Sequence, residues 1–68
     1  MAHDRVISDP KIMFGKPVIR GTRITVELIL QKLASGMSVG EIITHHPVLT
    51  AEDIRAALVY AADLPKPA

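Results

Sequence analysis

The first third of the chain carries short runs of β-branched residues, and the remainder carries apolar residues at helical spacing. The runs at 5–8 and 17–20 predict two strands, closed by turn signals at Asp9-Pro10 and at Gly21. Strands this short do not persist alone in water. They must therefore pack on helices or pair with another chain.

The first predicted helix follows Thr25, a residue type favoured at the N-cap. Glu27 falls in the first turn, where the helix dipole favours a carboxylate. Gly36 is expected to take the left-handed conformation just beyond the helix. The apolar stripe of this helix consists of Val26, Ile29, Leu30 and Leu33.

The second predicted helix is short. Ser38 and Glu41 have the spacing of a capping box. Pro47 disfavours helical backbone at the preceding residue, so the helix should end near His45.

The third predicted helix repeats that start signal with Thr50 and Asp53, and Pro65 ends it. A short helix, a tight turn and a longer helix are typical of a helix-turn-helix unit. The expected core stripe of the third helix is Ile54, Ala57, Leu58, Ala61 and Leu64.

The composition indicates one small domain over residues 1–68, with strands and a basic loop at about 5–24, three helices at 25–64 and a frayed tail at 65–68. Apolar residues make up 49% of a chain that has one Phe, one Tyr and no Trp, so the core should be aliphatic. So small a core is marginal, which favours a homodimer or a partner protein. The absence of cysteine excludes disulfides and thiolate chemistry.

Nothing in the sequence approaches the apolar length of a membrane span, and the first five residues do not start a signal peptide. We therefore expect no membrane association and a cytoplasmic location, with which the lack of cysteine agrees.

Charge is unevenly distributed along the chain. Residues 1–32 hold six basic and three acidic side chains, whereas residues 33–68 hold two basic and four acidic ones. This division suggests two surfaces with different partners. A chance division of so few charges explains it equally well.

The segment 15–23 combines two glycines, a proline and three basic residues. Backbone N–H groups beside Arg and Lys form a phosphate-binding surface, so Lys16, Arg20 and Arg23, together with Thr22, are candidate DNA contacts. The alternative is a plain turn into the first helix, with an arginine paired to Glu27.

The third helix has a single basic residue and an apolar, acidic outer face, which does not suit a phosphate-lined groove. It suits a protein partner better, although the same residues could pack within the monomer or a homodimer. The candidate partner-binding residues are Glu52, Arg55, Ala56, Val59, Tyr60 and Asp63.

No catalytic set emerges from the sequence. His45 and His46 are adjacent and so cannot ligate a metal as an i, i+4 pair does. No phosphate-binding loop or dinucleotide fingerprint is present. We expect no enzymatic activity, no metal and no cofactor.

The string Gly-Lys-Pro-Val-Ile-Arg-Gly-Thr-Arg-Ile at 15–24, with segments 7–12, 33–38 and 46–54, resembles domain-of-unknown-function family 433, regarded as VapB-like antitoxins. The usual aromatic before the second turn's proline is His46 here. The resemblance implies a mainly α fold, with short N-terminal β-strands before a three-helix, homeodomain-like helix-turn-helix unit. It also makes Lys16, Arg20, Gly21, Thr22 and Arg23 candidate functional residues.

The resemblance further implies a cytoplasmic protein that binds a PIN-like ribonuclease toxin. Binding to double-stranded promoter DNA is a further expectation. Three hypotheses follow. The chain is an antitoxin acting as a homodimer, a stand-alone DNA-binding transcriptional regulator, or a purely structural dimerisation module.

Overall fold

Local capping chemistry and two short β-branched runs set the order of the elements. The computed structural model describes residues 3–65 of the chain, so most of the tail predicted at 65–68 lies outside the described residues. In that range no helix is long and apolar enough to cross a membrane. The elements are β1 (Val6–Ile7), β2 (Val18–Ile19), α1 (Val26–Ala34), α2 (Val39–His45) and α3 (Ala51–Asp63).

The two strands pair antiparallel, with Val6 opposite Ile19 and Ile7 opposite Val18. The fold is thus a two-stranded sheet followed by three helices, and the prediction of a mainly α domain with short N-terminal strands is confirmed. β1 packs against α3, while α1 packs against both α2 and α3.

The predicted helix starts are confirmed by their hydrogen bonds. Thr25 Oγ1 accepts from the Leu28 N–H at 3.0 Å. Ser38 and Glu41 form a complete capping box at the start of α2, which ends at His45 as expected. The third predicted cap, Thr50 with Asp53, also forms a complete capping box. Side-chain acceptors thereby satisfy helix N–H groups that have no partner within the helix.

The core is aliphatic, as the composition predicts. Its most enclosed large side chains come from β2 and from all three helices or their connections, so one cluster joins the sheet to the helices. They are Val18, Ile19, Ile29, Ile42, Leu49 and Ile54, each at most 2% exposed.

The buried face of α3 differs from the predicted stripe. Leu58 and Leu64 are 45% and 47% exposed, so their assignment to the core is wrong. Asp53 is instead buried, and Tyr60 packs against the core cluster. The segment that leads into β1 contacts this side of α3, through Arg5 at Asp53 and His3 at Tyr60.

Candidate partner-binding and nucleic-acid surfaces

The turn between β2 and α1 is held by its own side chains. The Thr22 hydroxyl donates to the Ile19 carbonyl at 2.8 Å and accepts from the Ile24 N–H at 3.0 Å. Gly21 has a φ of 81°, the left-handed region that favours glycine. Gly21 and Thr22 therefore shape the turn, as the alternative interpretation of this segment expects.

The two arginines of this turn are both exposed. Arg20 Nε donates to the carbonyl of Asp4 at 2.8 Å, which fixes the guanidinium beside the N-terminal segment. Arg23 makes no ion pair with any described residue and lines a shallow depression of about 310 Å³ with Ile12, Gly21 and Thr22. Its exposed guanidinium thus has no carboxylate partner among residues 3–65.

Lys16 lies apart from that depression. Its Nζ is 3.3 Å from Oε1 of Glu27. The alternative interpretation named an arginine as the partner of Glu27, and the structure corrects the partner to Lys16. Lys16 is predicted as a DNA contact together with Arg23, but the fold places the two at different depressions.

That second depression is an apolar groove of about 610 Å³ between α1 and α3. Lys16 and Glu27 lie at its rim. The side chains that line it are mostly small or aliphatic. Its walls include Leu30 and Ala34 from α1, and Tyr60, Ala61 and Leu64 from α3 or its C-terminal end.

The outer surface of α3 combines apolar and acidic side chains. Leu58 and Val59 are 45% and 39% exposed, and Glu52, Arg55 and Asp63 are exposed with them. We call these five residues the α3 outer surface. Of the other predicted partner-binding residues, Ala56 and Tyr60 are partly buried and pack on the core. The structure thus brings four of the predicted six to this surface and adds Leu58.

The acidic residues of the α3 outer surface are tethered to the N-terminal segment. Arg5 Nη2 is 3.5 Å from Oε2 of Glu52, and His3 Nε2 is 3.2 Å from Oδ2 of Asp63. The His3 ring also meets Tyr60 edge to face, with centroids 5.2 Å apart. These exposed contacts are screened by water and leave Leu58 and Val59 uncovered.

Sequence reasoning missed the most exposed aromatic side chain. Phe14 lies in a single 3₁₀ turn over Met13–Gly15 and is 97% exposed. Met13 and Phe14 both have positive φ, at 49° and 57°. The available signal was the position of the chain's single Phe, directly before Gly15 in a turn rather than in a helical or strand pattern.

The histidines do not assemble a metal centre within residues 3–65. No group of three His, Asp or Glu side chains there is placed to hold a metal ion. The pKa of Glu41, away from the histidines in the cap of α2, is held below its ordinary value by hydrogen bonds with Ser38. That shift belongs to the cap of α2.

Three comparisons relate the chain to known proteins. A family model described as a protein of unknown function, DUF433, matches residues 6–61. The chain is 43% identical over 60 residues to the uncharacterized protein y4eO of Sinorhizobium fredii, a match that covers 88% of this chain and 27% of that protein. A crystal structure of a DUF433 member protein from Anabaena variabilis superposes with a TM-score of 0.82 at 32% identity. That match covers 87% of this chain and 58% of the crystallised chain, so the chain spans only part of each relative.

Proposed function

Because the chain belongs to the DUF433 family, whose description assigns no activity, we propose its function from its own surfaces. We propose that it is a non-catalytic, cytoplasmic antitoxin that binds a PIN-like ribonuclease toxin through the α3 outer surface. The observation that carries this proposal is the exposure of Leu58 and Val59 between the carboxylates of Glu52 and Asp63. The toxin as partner follows from the antitoxin character attributed to the family.

The apolar part of this surface supports binding to a protein. Single exposed apolar residues are ordinary, but Leu58 and Val59 are adjacent on one helix. Covering them removes apolar area from water, at roughly 25 cal/mol per Å². Apolar side chains at the centre of a patch with polar residues around them are typical of protein interfaces.

The charge of this surface supports the choice of partner. Glu52 and Asp63 outnumber Arg55 on the α3 outer surface. Their exposed ion pairs with Arg5 and His3 are weak, so a basic partner can compete for both carboxylates. A ribonuclease must attract a polyanion and therefore carries cations around its active site. Acidic groups placed over those cations steer association and block access for RNA.

A homodimer is part of the proposal. The paired strands β1 and β2 are each two residues long, and a sheet of this size is marginal by itself. The outer edge of β2 already bonds to residues 24–26 of the same chain, so a second copy would pair with β1.

The test is co-expression of the tagged chain with the product of the neighbouring gene, which this proposal requires to be a PIN-like protein. Val59 and Val39 are both 39% exposed, and each lies in a helix, so they form a matched pair. We expect Val59→Glu to abolish co-purification because it puts a charge at the centre of the α3 outer surface. Val39→Glu, on α2, should co-purify as the parent chain does.

Two results contradict this proposal. One is that the parent chain fails to associate with the PIN-like protein at micromolar concentration. The other is that Val39→Glu and Val59→Glu lose association equally, which places the contact elsewhere. Circular dichroism of both variants establishes that they are folded.

Binding of double-stranded DNA is a second candidate function, favoured by the exposed Arg20 and Arg23. Both project from the β2–α1 turn, and Arg23 has no ion-pair partner among residues 3–65. Helix α3 does not suit the major groove, since Glu52 and Asp63 would face phosphate. Any contact with a duplex is therefore proposed to be a backbone contact by the turn.

A further inference from the structure

The loop that carries Phe14 is held rigidly by hydrogen bonds. The Lys11 N–H donates to Asp9 Oδ1 at 2.9 Å, and the Ile12 N–H donates to the Asp9 carbonyl at 2.8 Å. The Gly15 N–H donates to the Ile12 carbonyl at 3.0 Å. The Lys16 N–H donates to the Met13 carbonyl at 3.1 Å. The turn is therefore preorganised, so ordering it on binding costs little.

The same turn holds an unfavourable backbone. Met13 and Phe14 are the two non-glycine residues with positive φ within residues 3–65. A left-handed conformation is disfavoured for any residue with a Cβ atom. Such conformations persist where the surrounding structure imposes them, and they concentrate at binding sites.

The Phe14 ring contributes little to the fold, because 97% of it is exposed. The backbone strain around it therefore does not serve packing within the chain. Its effect is to present a flat aromatic face at the tip of a rigid loop. Met13, at 37% exposure, is the apolar neighbour in sequence.

The segment of the chain that contains Phe14 is rich in basic residues. Residues 9–23 contain four basic side chains, Lys11, Lys16, Arg20 and Arg23, and a single carboxylate, Asp9. Arg23 lies across the shallow depression from Ile12, the residue that precedes the turn. The Asp9 carboxylate already accepts the Lys11 N–H. An exposed aromatic face in a segment with more cations than carboxylates complements a ligand with a π-face and a negative backbone.

We propose that the loop around Phe14 binds a single strand of nucleic acid, with one unpaired base stacked on the Phe14 ring and phosphates held by Lys11 and Arg23. This proposal goes beyond toxin binding and does not depend on it. Stacking on an aromatic ring requires an accessible base face, which an intact duplex does not offer. Wedging a side chain into a duplex must first unstack its base pairs, a cost that an unpaired strand does not carry. A protein hot spot would need a wider apolar patch than Phe14 and Met13 form.

The experiment is fluorescence anisotropy with the full chain and three labelled probes. The probes are an oligothymidylate and an oligouridylate of about 12 nucleotides, and a duplex of the same length. We expect the chain to bind both single strands more tightly than the duplex. Affinity should fall as sodium chloride rises, because phosphate contacts release counterions.

Substitutions at Phe14 separate stacking from other contacts. Phe14→Ala and Phe14→Leu should each weaken single-strand binding roughly 5- to 100-fold, whereas Phe14→Tyr should keep it, since only Tyr retains an aromatic face. Val48→Ala is the matched control, because Val48 is 61% exposed in the α2–α3 connection. Its affinity should equal that of the parent.

Phe14→Gly guards against loss of fold. Glycine adopts positive φ without a penalty, so the melting temperature of Phe14→Gly should not fall below that of the parent. Its single-strand binding should be lost. Equal affinity of the parent and Phe14→Leu would overturn the proposal, because it removes the need for an aromatic face. A preference for the duplex overturns it too, and so does loss of toxin binding in Phe14→Ala with unchanged nucleic-acid binding.

Discussion

Arg5 Nη1 lies 3.0 Å from Asp53 Oδ1, and this ion pair joins residues that are 48 positions apart in the sequence. The second oxygen of the same carboxylate accepts the Thr50 N–H at 3.0 Å. One carboxylate thus caps α3 and also fastens the segment leading into β1 to that helix. The Asp53 side chain is only 10% exposed, whereas the Arg5 side chain is 47% exposed.

Replacing Asp53 should therefore destabilise the chain more than replacing Glu52, the other carboxylate that contacts Arg5. Asp53→Ala removes a cap and the shorter, more buried of the two ion pairs of Arg5, so we expect a loss of about 2 kcal/mol in the free energy of unfolding. Glu52→Ala is the matched control, since Glu52 meets the same arginine at 3.5 Å but is 78% exposed. It should change stability by less than about 0.5 kcal/mol in urea denaturation. Equal losses in the two variants would show that Asp53 has no special role.

The Arg5–Asp53 pair also explains which parts of the fold were predictable. Helix starts at Thr25, Ser38 and Thr50 follow from residues within four positions of one another, so the sequence pattern reveals them. The buried face of α3 depends on where β1 packs, and nothing local to α3 encodes that. The predicted stripe therefore placed Leu58 in the core.

Alanine substitutions on α3 test the rotated face. Ile54→Ala should cost about 2–5 kcal/mol, because Ile54 is 1% exposed and its removal leaves a cavity. Leu58→Ala should cost less than about 0.5 kcal/mol, since Leu58 is 45% exposed. Chemical denaturation monitored by circular dichroism gives both values. A large loss for Leu58→Ala would mean that a homodimer buries this side chain, which a concentration series detects.

Two glycines should respond to alanine in opposite directions. A Cβ at Gly21 meets no atom within 4 Å, but the φ of 81° is strained for alanine, so Gly21→Ala should destabilise by about 1–2 kcal/mol. Gly40 lies in α2 with ordinary space around it, so Gly40→Ala should stabilise by about 0.5 kcal/mol. Thermal melts of the two variants check this difference of sign. A stabilising Gly21→Ala would show that the turn adopts another backbone.

Acid should weaken α2 through Glu41. The backbone N–H and hydroxyl of Ser38 hold the pKa of Glu41 below its ordinary value of 4.5. A carboxylate with a lowered pKa in the folded state contributes stability above the unfolded pKa, and that contribution is lost as pH falls through the folded pKa. Glu41→Gln can still accept the N–H but does not titrate. Its stability should therefore vary less than that of the parent between pH 6 and pH 3, measured by urea denaturation at each pH. Parallel pH profiles would contradict this.

The candidate site was only partly predictable. The basic residues of 15–23 were found from the sequence, but their division between the Arg23 depression and the groove beside Lys16 depends on the packing of α1. Phe14 was missed, because no sequence rule predicts a positive φ at a phenylalanine. The exposure of a side chain in such a turn is visible only in the folded chain.

Two arginines decide which element of the chain meets duplex DNA, if the second candidate function holds. Arg23 projects from the β2–α1 turn without an ion pair in the described range, whereas Arg55 lies on α3 near Glu52 and Asp63. We expect Arg23→Gln to lower affinity by the same factor for unrelated duplexes and to reduce the salt slope by about one, as loss of a phosphate contact does. Arg55→Gln, which removes the same charge, should leave affinity unchanged in the same salt titration. A larger loss for Arg55→Gln than for Arg23→Gln would assign the contact to α3 instead. A loss confined to one duplex sequence would indicate base reading in place of a phosphate contact.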